Sequence, residues 1–407
     1  MMNRLAVLLL VVSSATAFVA SPRTVRSTRR FSSTTPVDSS LKTEEGSDLL
    51  PEYQQALDEA KAMVSAAVEK ASPKLLPSLM HFCNEYMGAS QASNMKTKDD
   101  NSSPKMALKR ILEGVQLGFK HGMGPDTFIF GVTHDALRGD PEKEDGNSRD
   151  FYSWGCNFFR PFIDTESSQV LGMENIQKCA DQIAAGENVV FLANHQSEAD
   201  PQVVSIMLEK AGFPELAEQV VYVAGHKVTT DPLAIPFSMG RNLVCIHSKK
   251  HIDADPDTKS VKTRQNMAAM SGMLGKLKKG SCLLWVAPSG GRDRRDVDTG
   301  KTPIAHFDSK TIDMFRLMGN KSKKPTHFYS FAMVSYELCP PPDFIDPGVG
   351  EQRNFRFVPV GVKIGEELIS AGGLETRHEF CDRTFGQTQK DYHDLREMIF
   401  PGTAPES

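Results

Sequence analysis

The sequence predicts an α/β protein: a mixed, largely parallel β-sheet covered by helices on both faces, preceded by a small N-terminal helical bundle. From residue 166 onward, short apolar runs alternate with longer helix-patterned stretches. That order gives a parallel sheet flanked by helices. The runs are continuously apolar rather than alternating, as strands buried on both faces are. Residues 51 to 119 instead repeat their apolar positions at threes and fours, the period of helices.

Taken in order, helices are expected at "PEYQQALDEAKAMVSAAVEKA" (51–71), "PKLLPSLMHFCNEYMGA" (73–89) and "PKMALKRILEGVQLGF" (104–119). Pro51, Pro73 and Pro104 stand near their starts, where a missing N–H costs nothing. The linker "SQASNMKTKDDNSS" (90–103) is polar, and residues 125 to 165 read as irregular with an acidic loop at 139–150. Strands are expected at 188–194, 220–225, 242–248, 282–288, 327–336 and 355–364. Helices are expected after Asp200, after Asp257, after Asp308 and near Gln387. The bundle then occupies 45–120 and the α/β domain 121–400.

A chain of 407 residues with 40% hydrophobic and 24% charged residues has material for a sizeable core. The net charge of −4 argues against a general nucleic-acid binder. Seven scattered cysteines, without a C-x-x-C, point to reduced thiols rather than a disulfide or zinc framework.

The first forty residues read as targeting sequence. Arg4 opens a positive region, "LAVLLLVV" (5–12) is too short to span a bilayer, and an A-x-A site ends at Ala17. That is a secretory signal over about 1–17. The next stretch, about 18–40, is rich in Arg, Ser and Thr and carries no acid before Asp38, which is transit-peptide composition. The pair resembles the bipartite presequence of algae whose plastids have extra membranes, and Phe18 directly after the cleavage site is similar to that class. It implies a plastid stroma location. A signal peptide with a polar pro-segment is the other reading. No later segment is long and apolar enough for a membrane anchor. The mature protein is expected to be soluble, with peripheral contact at the plastid membrane at most.

The chemistry-bearing residues follow the expected strands, where ligands gather in parallel sheets. In "FLANHQSEADP" (191–201), His195 follows an apolar run and Asp200 stands five residues on. A histidine accepts a proton near neutral pH, and a carboxylate would fix its tautomer and stabilise the imidazolium. Two plainer readings stand beside this: a structural loop histidine, and Asp200-Pro201 as a helix N-cap followed by proline in the first turn. "HSKKHID" sets Lys249, Lys250 and His251 after one strand, and "APSGGRDRRD" sets Arg292, Arg294 and Arg295 after another. Two cation clusters at strand ends suit a phosphate monoester, which guanidinium groups match in bidentate pairs. Solvated basic loops are the bland alternative. No P-loop pattern occurs.

"NHQSEADP" resembles the N-H-x4-D block of glycerolipid acyltransferases. "VAGHKVTTDPLAIPFSMGRNLVCIHSKKHID", "LLWVAPSGGRDR" and "YELCPPP" resemble further blocks of the soluble plastid-type glycerol-3-phosphate acyltransferases, over about residues 105 to 342. The resemblance implies a helical N-terminal part and a larger α/β domain. It implies His195 as general base, Asp200 as its partner, and Lys250, His251, Arg292 and Arg294 around the phosphate of glycerol 3-phosphate. Arg241, in "SMGRN", falls in a family block and would support the pocket. The implied reaction is attack of the 1-hydroxyl on a fatty acyl thioester, giving 1-acyl-glycerol 3-phosphate. Backbone N–H groups after the strand or at the helix start near residue 200 are the expected oxyanion donors. No cofactor is expected. The implied donor is acyl-acyl carrier protein, with acyl-CoA as the alternative. An acidic carrier needs a basic face, for which the expected helix over 258–279, with Lys262, Arg264 and "KLKK", is the candidate dock. Acylation of 1-acylglycerol 3-phosphate, metal-dependent phosphate-ester hydrolysis and a non-catalytic carrier- or phosphate-binding module are the competing functions.

Overall fold

A computed structural model describes residues 49–68, 76–95, 103–120, 123–124, 129–130, 150–231, 233–248, 252–253, 256–342, 352–370 and 376–402. The presequence expected over 1–40, and Lys249, Lys250 and His251, lie outside the described residues.

Three helices come first: α1 (Pro51–Val68), α2 (Leu76–Ala92) and α3 (Pro104–Lys120). Next are β1 (Ile129–Phe130), α4 (Phe151–Phe159), β2 (Gln169–Leu171) and α5 (Met173–Ala184). The centre of the chain holds β3 (Asn188–Ala193), α6 (Asp200–Lys210), α7 (Pro214–Gln219), β4 (Val221–Gly225), α8 (Ile235–Met239) and β5 (Asn242–Ile246). The rest comprises α9 (Pro256–Lys279), β6 (Leu283–Val286), α10 (Ser309–Ser322), β7 (Thr326–Val334), β8 (Gly361–Leu368) and α11 (Arg377–Ile399).

The strands form one sheet in the order β1-β5-β4-β6-β3-β7-β8-β2. Pairing is parallel from β5 through β4, β6 and β3 to β7, and again between β8 and β2. It is antiparallel for β1–β5 and β7–β8. The sheet is thus mixed and largely parallel. Strand β3 shows why its sequence is uniformly apolar. Val189, Phe191 and Ala193 face a core shared with Ile176 of α5 and Val203 and Met207 of α6. Val190 and Leu192 face a second core with Met273 of α9, Ile312 and Phe315 of α10 and Phe380 of α11. All six β3 residues are buried, and each large apolar side chain so buried contributes about 1.5–3 kcal/mol.

The N-terminal helices join the first core through aromatic contacts. Tyr86 of α2 packs edge-on to Phe162 at 4.9 Å, and Phe82 edge-on to Phe355 at 5.2 Å. Tyr53 and Leu57 of α1 and Ile111 of α3 belong to the same contiguous apolar cluster.

Several elements depart from the sequence reading, and three show a clear physical reason. The stretch 125–165 is not irregular throughout, because "FYSWGCNFF" forms α4. Asp150 caps this helix, its side chain accepting from Ser153 N–H at 3.0 Å. The last strand starts later than expected. Residues 352–360 run as irregular chain with one bridge, Val358 to Ile163, and β8 begins at Gly361. Pro359 lacks the N–H that a ladder needs there. Helix α5 and its entry at Gly172 were not foreseen. Gly172 has φ +79°, and a Cβ there would lie 2.0 Å from the Ile364 carbonyl oxygen, so only glycine fits.

All seven cysteines are buried free thiols. Among the described residues no helix is long and apolar enough to cross a membrane.

Candidate active site

Strand β3 lies between β6 and β7, so the segments leaving the carboxyl ends of these three strands converge. Asn194 fastens the β3 exit to β7: its Nδ2 donates to the Met333 carbonyl at 3.0 Å, and Met333 N–H donates back to its Oδ1 at 2.8 Å. Gln196 repeats the pattern one step on, its Oε1 accepting from the N–H groups of Ser335 and Tyr336 at 2.8 and 3.1 Å. His195 stands between these two anchors. Its ring meets Trp285 of β6 edge-on at 5.8 Å.

His195 Nδ1 lies 2.8 Å from Asp200 Oδ2. The histidine side chain is 27% exposed and Asp200 is fully buried. Asp200 does not cap α6. The N-cap position is Ala199, and the carboxylate points back into the loop. Its Oδ2 also accepts from Gln196 N–H at 2.7 Å. Its Oδ1 accepts from Ser197 N–H (3.1 Å), Ser197 Oγ (3.0 Å) and Ser335 Oγ (2.7 Å). Donors converge on both oxygens, which fixes the carboxylate's orientation. An Nδ1–H donated to it leaves Nε2 as the acceptor on the exposed side of the ring.

The same bonds engage most of the nearby amides that were expected as oxyanion donors. The N–H groups of Gln196 and Ser197 go to Asp200, and that of Ala199 to Ser197 Oγ. Those of Asp200, Gln202 and Val203 go to backbone carbonyls of the same turn. A donor already engaged by a buried carboxylate or the helix ladder is not available to substrate.

The arginine loop after β6 closes over this histidine loop. Asp293 N–H donates to the His195 carbonyl. Asp293 is fully buried, and its carboxylate accepts from Ala305 N–H (2.8 Å), Asn194 Nδ2 (3.2 Å) and Gln196 Nε2 (3.4 Å). Burial pushes its pKa up to about 6, against the pull of the Ala305 and Asn194 hydrogen bonds. Arg292 reaches Glu198, three residues past His195, at 3.5 Å. Arg294 instead donates to the Pro342 carbonyl at 2.9 Å, and Arg295 pairs with Glu337 at 2.6 Å. Arg241 lies at the start of β5, the end opposite to these loops. It is buried against Ser205, the Cys156 thiol and the Tyr152 ring, a structural setting rather than a pocket lining.

Sequence reasoning missed several residues that hold this arrangement. Ser335 sits at the carboxyl end of β7, where the strand-end rule would have found it. Glu198 and Asp293 stand inside the blocks that were singled out. Arg353 had no signal at all. It binds Glu198 and Asp231 from just ahead of the strand expected over 355–364. Among the described residues no cluster of three or more His, Cys, Asp or Glu could hold a metal.

The Acyltransferase family model matches residues 167–330, from just before β2 into β7. The chloroplastic glycerol-3-phosphate acyltransferase ATS12 of Cucurbita moschata is 35% identical over 339 residues, 81% of this chain and 70% of that protein. The chain belongs to the glycerol-3-phosphate acyltransferase family. The chloroplastic family members of Spinacia oleracea and Arabidopsis thaliana are each 36% identical, over 281 and 285 residues. These matches take in 67% and 70% of this chain and 58% of either relative, so the chain spans somewhat over half the length of those two family members. His195, Asp200, Arg292 and Arg294 fall inside the segment matched by the family model, and Arg353 falls outside it.

Proposed function

We propose that this protein is a glycerol-3-phosphate 1-O-acyltransferase that takes its acyl group from acyl-acyl carrier protein. The observation that carries the reading is the His195–Asp200 hydrogen bond at the carboxyl end of the central strand, with Arg292 beside it. His195 Nε2 removes the proton of the substrate's 1-hydroxyl as that oxygen attacks the thioester carbonyl. Asp200 stabilises the imidazolium that forms. The new C–O bond replaces the C–S bond, and the departing thiolate takes the proton from the imidazolium. Arg292 and Arg294, with Lys250 and His251 of the family block, hold the phosphate. Arg294 must then exchange the Pro342 carbonyl for phosphate oxygens, a gain for a guanidinium. The chemistry needs no cofactor beyond its two substrates.

An acidic carrier is supported by the surface of α9 and α10. Helix α9 ends on Lys276, Lys278 and Lys279. A groove of about 530 Å³ between α9 and α10 has an apolar floor, including Met270, Leu274 and Met314, beside Lys310, Lys321 and Arg377. The presequence pattern and the chloroplastic relatives support a place in the plastid stroma.

The test is product analysis. Purified protein is given an acyl-carrier thioester, or the matching acyl-CoA, together with glycerol 3-phosphate. The reading expects 1-acyl-glycerol 3-phosphate, faster from the carrier. Acylation of 1-acylglycerol 3-phosphate instead would move the protein to the second acyl step, and binding without turnover would make it a non-catalytic module.

A further inference from the structure

Arg353 lies in the irregular run that precedes β8, and its side chain is 7% exposed. Its Nε donates to Glu198 Oε2 at 2.7 Å and its Nη2 to Glu198 Oε1 at 3.4 Å. The same Nη2 donates to Asp231 Oδ2 at 2.9 Å. Burial alone would lower the guanidinium's pKa, but the Glu198 and Asp231 carboxylates hold it above its ordinary value. Glu198 is therefore one carboxylate between two guanidiniums, with Arg292 at 3.5 Å on its other side.

A carboxylate beside a phosphate-binding arginine is a problem for substrate binding. It repels a dianion, and it competes with the phosphate for the same guanidinium. The geometry divides Glu198 unequally between its neighbours: two hydrogen bonds go to Arg353 and one longer contact to Arg292. Charge-assisted bonds of the first kind are about twice as strong as neutral ones.

We propose that Arg353 is a positioning residue for glycerol 3-phosphate, binding the Glu198 carboxylate so that it does not compete with the phosphate for Arg292. The proposal rests on the reading of Arg292 as a phosphate ligand given above. On substrate entry Arg292 exchanges its long contact to Glu198 for phosphate oxygens. Glu198, half-buried, keeps its partner, so its charge stays compensated when the phosphate takes Arg292.

The test compares Arg353→Gln, Glu198→Gln and the double variant in steady-state turnover, varying glycerol 3-phosphate and the acyl thioester separately. Without Arg353, Glu198 closes on Arg292. The KM for glycerol 3-phosphate is then expected to rise about tenfold, with kcat and the thioester KM within about threefold of wild type. Removing Glu198 as well takes the competitor away, and the double variant returns to within about threefold of the wild-type KM. A purely structural Arg353 would leave the double variant as impaired as the single one, for both substrates. An unchanged KM in Arg353→Gln, or no recovery in the double variant, overturns the proposal. Should Arg353→Gln fail to fold by thermal melt, Glu198→Gln decides: an equal or lower KM supports the proposal, and a rise of about tenfold overturns it. Arg292→Ala separates the two layers. No KM change in that variant, or no glycerol 3-phosphate-dependent turnover by wild type, sinks the reading of the site. A raised KM in Arg292→Ala alone sinks only the role of Arg353.

Discussion

Replacing Asp200 by asparagine keeps the shape of the side chain and exchanges one oxygen for an NH2. The structure leaves that group no good place. At the Oδ2 position it faces Gln196 N–H, a fixed backbone donor 2.7 Å away, and His195 Nδ1 at 2.8 Å. The ring then accepts at Nδ1 and carries its proton on Nε2, which removes the base. At the Oδ1 position it faces Ser197 N–H at 3.1 Å, while the Ser197 and Ser335 hydroxyls can rotate to accept. Either way one buried backbone donor loses its acceptor, at a cost of about 1–3 kcal/mol in stability. Catalysis loses more, because the imidazolium has no counter-charge even when the tautomer is right. The equivalent exchange in serine proteases lowers kcat by about 10⁴-fold, and about 10³- to 10⁴-fold, or about 4–5.5 kcal/mol of barrier, is expected here. The assay is kcat with saturating glycerol 3-phosphate and acyl-carrier thioester, alongside a thermal melt. A folded Asp200→Asn protein that keeps a kcat within about threefold of wild type would refute the pairing as a catalytic device.

Gly172→Ala should cost about 2 kcal/mol or more, because it combines a positive φ with a Cβ 2.0 Å from the Ile364 oxygen; an unchanged melting temperature would mean that the α5 entry relaxes freely. Arg241→Ala should destabilise by about 2–4 kcal/mol through the buried groups it leaves unpaired, while the folded protein keeps its KM for glycerol 3-phosphate; a raised KM would return Arg241 to the pocket. Asp293, raised from 3.8 to about 6, is protonated in the folded chain where the unfolded chain has lost the proton. Its contribution to stability therefore grows as pH falls from about 6 to about 4, and that gain is lost as pH rises through about 6. Wild-type melting temperature should accordingly gain on that of Asp293→Asn between pH 7 and pH 4.5, and parallel curves would contradict the assignment.

Strands β3 to β7 were legible because a strand covered on both faces must be apolar at every position. Val189 and Val190 face different cores yet look alike in the sequence. The His195–Asp200 pair was legible as spacing, since five residues of strand-to-helix loop bring the acid back to the ring. The role of Asp-Pro was not. A cap and a histidine partner share that dipeptide, and the outcome turns on Gln196, Ser197 and the distant Ser335 as donors. Arg353 was illegible for a similar reason. It meets Glu198 across 155 positions of sequence, and no local pattern records such a contact. Helix α4 was hidden by the acidic loop before it, although Asp150 stood at its start as a cap.

The proposed role of His195 as the base that activates glycerol 3-phosphate has a direct test. The most direct measurement is single-turnover loss of acyl-carrier thioester, with and without glycerol 3-phosphate, in wild type and His195→Ala, each checked for folding by thermal melt. Loss that requires glycerol 3-phosphate in wild type and falls at least about 10²-fold in the variant is the predicted result. Equal rates in the two proteins would contradict it.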